Sequence, residues 1–389
     1  MKIASLEGFR LYPRSIKEAW VDDEYVWPSQ LPSVLVKVTA EDGAYGVGEA
    51  SSQEWYLGES GEQIETQIAR YDRALKGRDP GNFALCHHLM ESAYGGGMPG
   101  ARAARSGVDM ALYDLVGKAR GLPVHALLGG GLRTELTMLT NLYHKTPDAM
   151  ADACREYASR GFRGLKIKVG DVLLASGWTR ENLLSELAKL DAAIAATPRE
   201  VLIDADANQG WESAAWTVQS LRRYAACDNV SIEQPLPYAD LDGHVHVRRV
   251  AGVPVILDES VWSAKQMMQL ARLQACDRIV LKLNRLGGFF ESMKVVAICE
   301  SANIGVSVDT NPYTLIGDTA CCHIASVIRT HYPVDCEGHV SFVDLGTHDF
   351  ISGGIAIRNG RAHLPDAPGL GVEIDWDLLA KHREAAYAR

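Results

Sequence analysis

Nowhere in its 389 residues does the chain stay apolar for the roughly 20 residues that a bilayer-spanning helix needs. Its N-terminus, MKIASLEGFRLYPR, has no apolar stretch of the length a secretory signal requires. Positive charge is in deficit. Lys and Arg total 39 against 49 Asp and Glu, a balance of −10 that argues against nucleic acid or an anionic membrane as partner. No C-x-x-C pair occurs among the eight cysteines, and the adjacent Cys321 and Cys322 have no metal-site spacing. The thiols therefore read as reduced and buried, and the chain as cytoplasmic. No G-x-G-x-x-G follows a first strand, so a dinucleotide fold lacks its signature. What is present is ordinary globular composition, 47% hydrophobic and 23% charged, which excludes a disordered chain. At roughly 150 residues per domain, the length suits two or three domains, or one large barrel with an accessory unit.

The first 55 residues read as antiparallel sheet. LPSVLVKVTA and AYGVGEAS are strand-like runs joined by Glu41-Asp42-Gly43, a hairpin signal. From about Gly61 the period becomes helical through EQIETQIARYDRALKG, FALCHHLMESAY and ARAARSGVDMALYDLVGKARG. This is an α+β unit over residues 1–125. His87-His88 within it reads as a helix-surface pair rather than a metal site. After Leu122-Pro123, short apolar runs alternate with helical stretches: LTMLTNLY, GLKIKV, VLIDAD, VSIEQP, VPVILD, RIVLKL, IGVSVD and the weaker PVDCEG. Seven or eight successive βα units most simply close into a parallel barrel, here spanning residues 126–350. The tail, residues 351–389, carries a hairpin at Asn359-Gly360 and is expected to rejoin the N-terminal sheet.

Side chains alternate across a strand, so parity sorts the barrel faces. One face is aliphatic in strand after strand. The other carries Lys166 and Lys168, then Asp204 and Asp206, Ser231 and Glu233, Asp258, Lys282 and Asp309. In a barrel that second face points into the mouth where active sites form. Carboxylates buried there need a counter-charge, because a lone buried charge costs several kcal/mol. Asp206, Glu233 and Asp258 lie 27 and 25 residues apart, about one βα unit each. They form the candidate ligand set of a divalent cation, and all-oxygen donors favour Mg²⁺ over Zn²⁺. Caps and surface ion pairs would explain one such Asp, but not three carboxylates in register. Lys166 and Lys168 repel one another on one face, and that repulsion, with the charge of the bound metal and desolvation, is expected to lower a Lys pKa toward neutrality, making it a general base. Lys282 lies four strands on from Lys168, on the opposite side of an eight-stranded barrel. A substrate held between them would have one Lys on each face of its reacting carbon.

At this point the sequence resembles the enolase superfamily, specifically the muconate lactonizing enzyme subgroup of the mandelate racemase-like proteins. The matching segments are K-I-K (Lys166 to Lys168), D-A-N (Asp206 to Asn208), E-Q-P (Glu233 to Pro235), D-E-S (Asp258 to Ser260), K-L-N-R-L-G-G (Lys282 to Gly288) and the helix text Ser106 to Gly130. The resemblance implies an α/β fold, a modified (β/α)7β TIM-type barrel with an N-terminal α+β capping domain completed by the C-terminal segment. It implies Mg²⁺ on Asp206, Glu233 and Asp258, and Lys168 and Lys282 as acid/base catalysts with Lys166 beside them. The shared step would be removal of the proton alpha to a carboxylate. Ser307-Val308-Asp309 closes the seventh strand without a His, which disfavours the His-Asp dyad of many sugar-acid dehydratases.

Two opposed lysines permit racemisation or epimerisation, dehydration, or cycloisomerisation. Asp309 and Glu337, at the ends of strands seven and eight, could meet a cationic nitrogen. The segment Asp309 to Asp318 loosely resembles members acting on proline betaines and hydroxyprolines. The expected function is therefore a racemase or epimerase of an amino acid or N-substituted amino acid. A dehydratase of a hydroxy acid, a muconate-type cycloisomerase and a non-catalytic carboxylate-binding barrel are the alternatives. Candidate substrate-binding residues are Asn208, Glu259, Asp309, Glu337 and Tyr143, with His144 beside it. Trp27 joins them from the loop Trp20 to Gln30, as do Trp55 and Tyr56 from Ser51 to Ser60. The expected partner is a small carboxylate, and a homo-oligomer is the expected assembly.

Overall fold

The computed structural model of the chain describes all residues except 14–31, 53, 55–56, 95–99, 144–145, 331, 339, 341–347 and 388–389. The chain opens with β1 (Ile3–Leu11), β2 (Ser33–Ala40) and β3 (Tyr45–Ser51), an antiparallel sheet in that order. The β2–β3 turn is the expected hairpin: Gly43 takes φ +87°, a left-handed value that favours glycine. Three helices follow, α1 (Gly61–Leu75), α2 (Phe83–Tyr94) and α3 (Arg102–Arg120). In α1 the Ser60 and Gln63 side chains form a reciprocal capping box. Ile64, Ile68, Tyr71 and Leu75 then fall on one stripe and close over Val34, Val36 and Val38 of the sheet. Helix α3 is buried from Ala103 to Gly117 and lies against β3. That approach requires glycine: a Cβ on Gly48 would sit 2.1 Å from the Gly107 carbonyl oxygen.

After α4 (Val124–Leu127), strands and helices alternate. The strands are β4 (Glu135–Leu142), β5 (Gly164–Lys168), β6 (Leu202–Asp206), β7 (Val230–Glu233), β8 (Val255–Leu257), β9 (Arg278–Leu281), β10 (Gly305–Val308) and β11 (Val334–Asp335). Each of β4 to β9 pairs parallel with the next, and β11 pairs parallel with β4. The remaining seam, between β10 and β11, is spanned by side chains. Thr330 Oγ1 donates to the Val306 carbonyl at 3.0 Å, and the Glu337 amide donates to Thr310 Oγ1 at 2.7 Å. The intervening helices are α5 (Pro147–Ser159), α6 (Asp171–Ser176), α7 (Arg180–Ala196), α8 (Ala214–Leu221), α9 (Leu241–Val250), α10 (Ala264–Leu273), α11 (Leu283–Leu286), α12 (Phe289–Ser301) and α13 (Leu315–Val327). Thr146, Thr179, Ser213 and Ser263 each cap a helix through a side-chain oxygen, which ends one loop and begins the next outer helix.

Parity holds around the barrel. Leu165, Ile167, Ile203, Val230, Ile232, Val255, Leu257, Ile279 and Leu281 all join the apolar core beneath the outer helices. The opposite face is polar and buried.

The tail corrects one expectation. Strands β12 (Ile351–Gly353), β13 (Ala356–Arg358), β14 (Arg361–His363) and β15 (Val372–Ile374) precede α14 (Trp376–Tyr387). The β13–β14 hairpin does not rejoin the N-terminal sheet. It pairs antiparallel with β4, extending the first barrel strand at its N-terminal end. Strand β4 reaches three residues beyond the start of its pairing with β11, and that free edge takes the hairpin. Contact with the N-terminal sheet comes later, where Trp376 meets Phe9 and Tyr45 at ring-centroid distances of 5.4 and 5.6 Å. A second correction concerns His87. It is buried, with Nε2 2.6 Å from Asp109 Oδ1, while His88 is exposed. All eight cysteines are free thiols, and Cys227 alone among them is half-buried.

Candidate active site

Adjacent parallel strands in register bring the charged residues to one level. Lys168 pairs with Asp206 across β5–β6, and Asp206 with Glu233 across β6–β7. Asp258 follows directly on β8, Lys282 on β9 and Asp309 on β10. All six point into the barrel and are at most about a tenth exposed.

Each carboxylate of the candidate ligand set is held by a cation. Lys168 Nζ donates to Asp206 Oδ2 at 2.5 Å and to Asn208 Oδ1 at 2.9 Å. Lys166 Nζ donates to Glu233 Oε1 at 3.1 Å and to Asp309 Oδ2 at 2.7 Å. Lys282 Nζ lies 3.0 Å from Asp258 Oδ2 and 3.7 Å from Asp309 Oδ2. Arg285, wholly buried, donates to Asp258 Oδ1 at 2.5 Å. Among the described residues, no three His, Cys, Asp or Glu side chains converge into a ready-made cation cage.

The electrostatics nevertheless fit a divalent cation. Among the described residues, the carboxyl groups of Asp204, Asp206, Glu233, Asp258, Glu259, Asp309, Asp335 and Glu337 outnumber the cations beside them, Lys166, Lys168, Lys282 and Arg285, with Arg278 acting on Asp204 as well. Burial, reinforced by Asp206, pushes Glu233 well above the usual carboxylate range. Burial with the Asp258 and Asp206 charges lifts Glu259 to about 7. Burial with Asp309 does the same for Glu337. Glu259 Oε2 is a buried acceptor without a hydrogen bond, and both oxygens of Glu233 lie 3.1 Å from the one Lys166 ammonium. Carboxylates crowded into protonation, with spare oxygens and no His or Cys among them, are an oxygen-donor set short of positive charge. Asp258 and Asp309 are exceptions: burial would raise both, but Arg285 and Lys282 hold Asp258 down at about 2, and Lys166 and Lys282 hold Asp309 well below the usual carboxylate range.

The lysines depart from expectation. Burial pulls Lys168 down, but Asp206 more than offsets this and the ammonium ends above its ordinary range. Lys166 is likewise raised, because Asp309 and Glu233 overcome burial. The lowered value was expected with a cation's charge beside the amines; here the carboxylate opposite each amine dominates, Asp206 at Lys168 and Asp309 with Glu233 at Lys166.

The other candidates sort as follows. Asn208 takes φ +40°, with its amide on Asp206 Oδ1 at 2.9 Å and its Nδ2 on Glu259 Oε1 at 3.2 Å. Glu337 accepts from Tyr143 OH and Asn141 Nδ2, both at 3.0 Å, and Asn141 Nδ2 also donates to Asp335. The Tyr143 ring lies 5.4 Å from Lys168 Nζ. Asp309 is engaged by Lys166 and lies close to Lys282, so it holds protein cations where a substrate nitrogen was expected. Trp27, Trp55, Tyr56 and His144 lie outside the described residues. Sequence reasoning missed Arg285, Asn141 and Asp335. The first sits between leucines in L-N-R-L; the last shares parity with Glu337 in V-D-C-E.

The description "Mandelate racemase / muconate lactonizing enzyme, N-terminal domain" matches residues 28–129, and "Enolase C-terminal domain-like" matches residues 149–378. The N-succinyl-L-Arg/Lys racemase of Bacillus cereus is 29% identical, covering 90% of each chain. The L-Ala-D/L-Glu epimerase of Clostridium acetobutylicum is 30% identical over 87% of this chain and 90% of its own. The crystal structure of the Bacillus cereus racemase superposes with a TM-score of 0.86 at 27% identity, covering 98% of both chains. A cis-3-hydroxy-L-proline dehydratase and chloromuconate cycloisomerases are also among the relatives.

Proposed function

This chain belongs to the mandelate racemase/muconate lactonizing enzyme family of the enolase superfamily, and from that premise we propose that it racemises or epimerises an amino acid or N-substituted amino acid. The proposed machinery is Lys168 and Lys282 as the acid/base pair, with Lys166 beside Lys168 and Mg²⁺ on Asp206, Glu233 and Asp258. One observation carries this reading. Lys168 and Lys282 reach the barrel interior from strands four apart, and each is paired with a different carboxylate of the Asp206–Glu233–Asp258 set. A substrate carbon between them meets an amine from either side. One lysine takes the α-proton and the other returns a proton to the opposite face.

The bound cation would supply charge neutralisation at the substrate carboxylate as the α-proton leaves. Asp206 and Asp258 are the counter-ions of Lys168 and Lys282. Asp206 is the main influence that keeps Lys168 above its ordinary range, so a cation sharing Asp206 would weaken that influence and favour the neutral amine that a base requires. Asn208 fixes the orientation of Asp206 through its amide and meets the Lys168 ammonium through Oδ1. Glu337, oriented by Tyr143 and Asn141 and lifted to about 7, is a carboxyl group whose ionised form a substrate nitrogen carrying positive charge would favour.

The test is α-proton exchange in D₂O with Mg²⁺ present, read by NMR or mass spectrometry. The panel comprises N-succinyl amino acids, dipeptides, hydroxyprolines and proline betaines. Incorporation of one deuteron with inversion is the expected result. Exchange of none of these compounds would overturn the reading. A second reading, dehydration, is favoured by the Asp309 to Asp318 segment and would register as loss of water rather than inversion.

A further inference from the structure

The turn after β8 is gripped from two directions. From the side of β7, Gln234 reaches across with its backbone in the left-handed region at φ +35°. Its Oε1 accepts from the Asp258 amide at 3.0 Å and the Ser260 amide at 3.2 Å. Its Nε2 donates to Ser260 Oγ at 2.9 Å and to the Leu236 carbonyl at 3.1 Å. From the side of α11, the Arg285 guanidinium donates through Nε to the Val261 carbonyl at 2.8 Å and through one terminal nitrogen to the Val280 carbonyl at 2.9 Å. The other terminal nitrogen meets Asp258 Oδ1 at 2.5 Å. Gln234, Asp258 and Arg285 are all fully buried.

A planar guanidinium tied to two carbonyls cannot swivel, so the carboxylate oxygen it holds cannot swivel either. Gln234 fixes the main chain of the same residue. Of the two Asp258 oxygens, Oδ1 is thus committed to Arg285, and Oδ2 is the one turned toward Lys282. We propose that Arg285 and Gln234 are positioning residues that lock the Asp258 carboxylate so that Oδ2 alone is presented to a divalent cation. This rests on Asp258 being a ligand of that cation, as proposed above.

The idea opposes a simpler expectation. Arg285 is a cation beside a cation site, so Coulomb's law alone says that its removal should tighten metal binding. A positioning role says the reverse, since partners that orient a metal ligand typically contribute about 10- to 100-fold in affinity. The experiment measures Mn²⁺ affinity by electron paramagnetic resonance for the whole protein and for Arg285→Met, Arg285→Lys, Gln234→Asn and Asp258→Asn. Folding is checked by circular dichroism. Weakening of about 10- to 100-fold is expected in Arg285→Met and Gln234→Asn, with partial recovery in Arg285→Lys. A variant destabilised in the separate apolar core of the N-terminal unit, Leu75→Ala, should bind Mn²⁺ as the parent does; an equal loss there would reduce the effect to general destabilisation and overturn the proposal. Unchanged or tighter binding in Arg285→Met would also overturn it. Unchanged binding in Asp258→Asn would instead remove Asp258 from the ligand set, which is failure of the earlier reading.

The unmodified protein supplies a second arm that no folding defect can spoil. In Mn²⁺-soaked crystals the anomalous peak is expected beside Asp258 Oδ2, with Arg285 still on Oδ1. A peak at Oδ1, or a displaced Arg285, would end the proposal.

Discussion

At the scale of single residues, the two lysines differ in their partners, and their variants should differ accordingly. Lys282→Ala should cut racemisation by about 10²–10⁴-fold, the usual contribution of a positioned acid or base. Exchange of the α-proton of one enantiomer through Lys168 should survive. Circular dichroism of product together with deuterium incorporation separates the two effects. If both enantiomers still interconvert, the two-base assignment is wrong. Glu337→Gln keeps the shape that Tyr143 and Asn141 hold but removes the charge. The KM of a substrate with a cationic nitrogen should rise about 10-fold or more, the scale of a hydrogen bond to a charged group. The KM of an N-acylated substrate should barely change, and steady-state kinetics with both kinds reads the difference.

Two contacts at the scale of elements decide whether the N-terminal sheet can sit where it does. Helix α3 approaches β3 so closely that Gly46 and Gly48 have no room for a Cβ. Gly48→Ala must push helix and sheet apart, and overpacking of this kind costs about 1–3 kcal/mol. Urea denaturation should register that loss as a lower midpoint. The second contact is Glu49 on β3. Buried among protein groups, it accepts from Ser33 Oγ at 2.6 Å, Thr314 Oγ1 at 2.6 Å, the Thr314 amide at 2.9 Å and the Gly317 amide at 3.0 Å. It therefore caps α13, a barrel helix, from the N-terminal sheet, where a carboxylate also suits the helix dipole. Glu49→Ala orphans two buried amides and should cost about 3 kcal/mol. Hydrogen exchange should speed up in the segment 311–317; unchanged exchange there would show that Glu49 does not hold the joint.

Across the whole molecule, His323 on α13 joins the barrel to the tail. Its Nε2 faces the Leu370 carbonyl at 3.2 Å, and its Nδ1 accepts from the His125 amide at 3.3 Å. That arrangement needs a neutral ring, and burial pushes its pKa down to about 3. Below pH 6.5 the unfolded chain takes up a proton that the folded one refuses. Stability present at neutral pH is therefore lost as pH falls toward 3, by about 1.4 kcal/mol per pH unit for this group. Gln can both donate and accept there without titrating. Between pH 7 and 4.5 the parent should lose roughly 2–3 kcal/mol more than His323→Gln, read from paired denaturation curves. Strand order, the polar inward face and the convergence of Lys168, Asp206, Glu233, Asp258 and Lys282 were legible in the sequence, because parity along a strand and the repeat of βα units are local properties of the chain. Tertiary structure alone decided what depends on distance between strands. It put a carboxylate against each lysine, turned Asp309 toward Lys166 and Lys282, seated Arg285 behind Asp258, and laid the Asn359-Gly360 hairpin on β4. Local periodicity says which way a side chain points but not what it meets, and the charge state of a buried group is determined by what it meets.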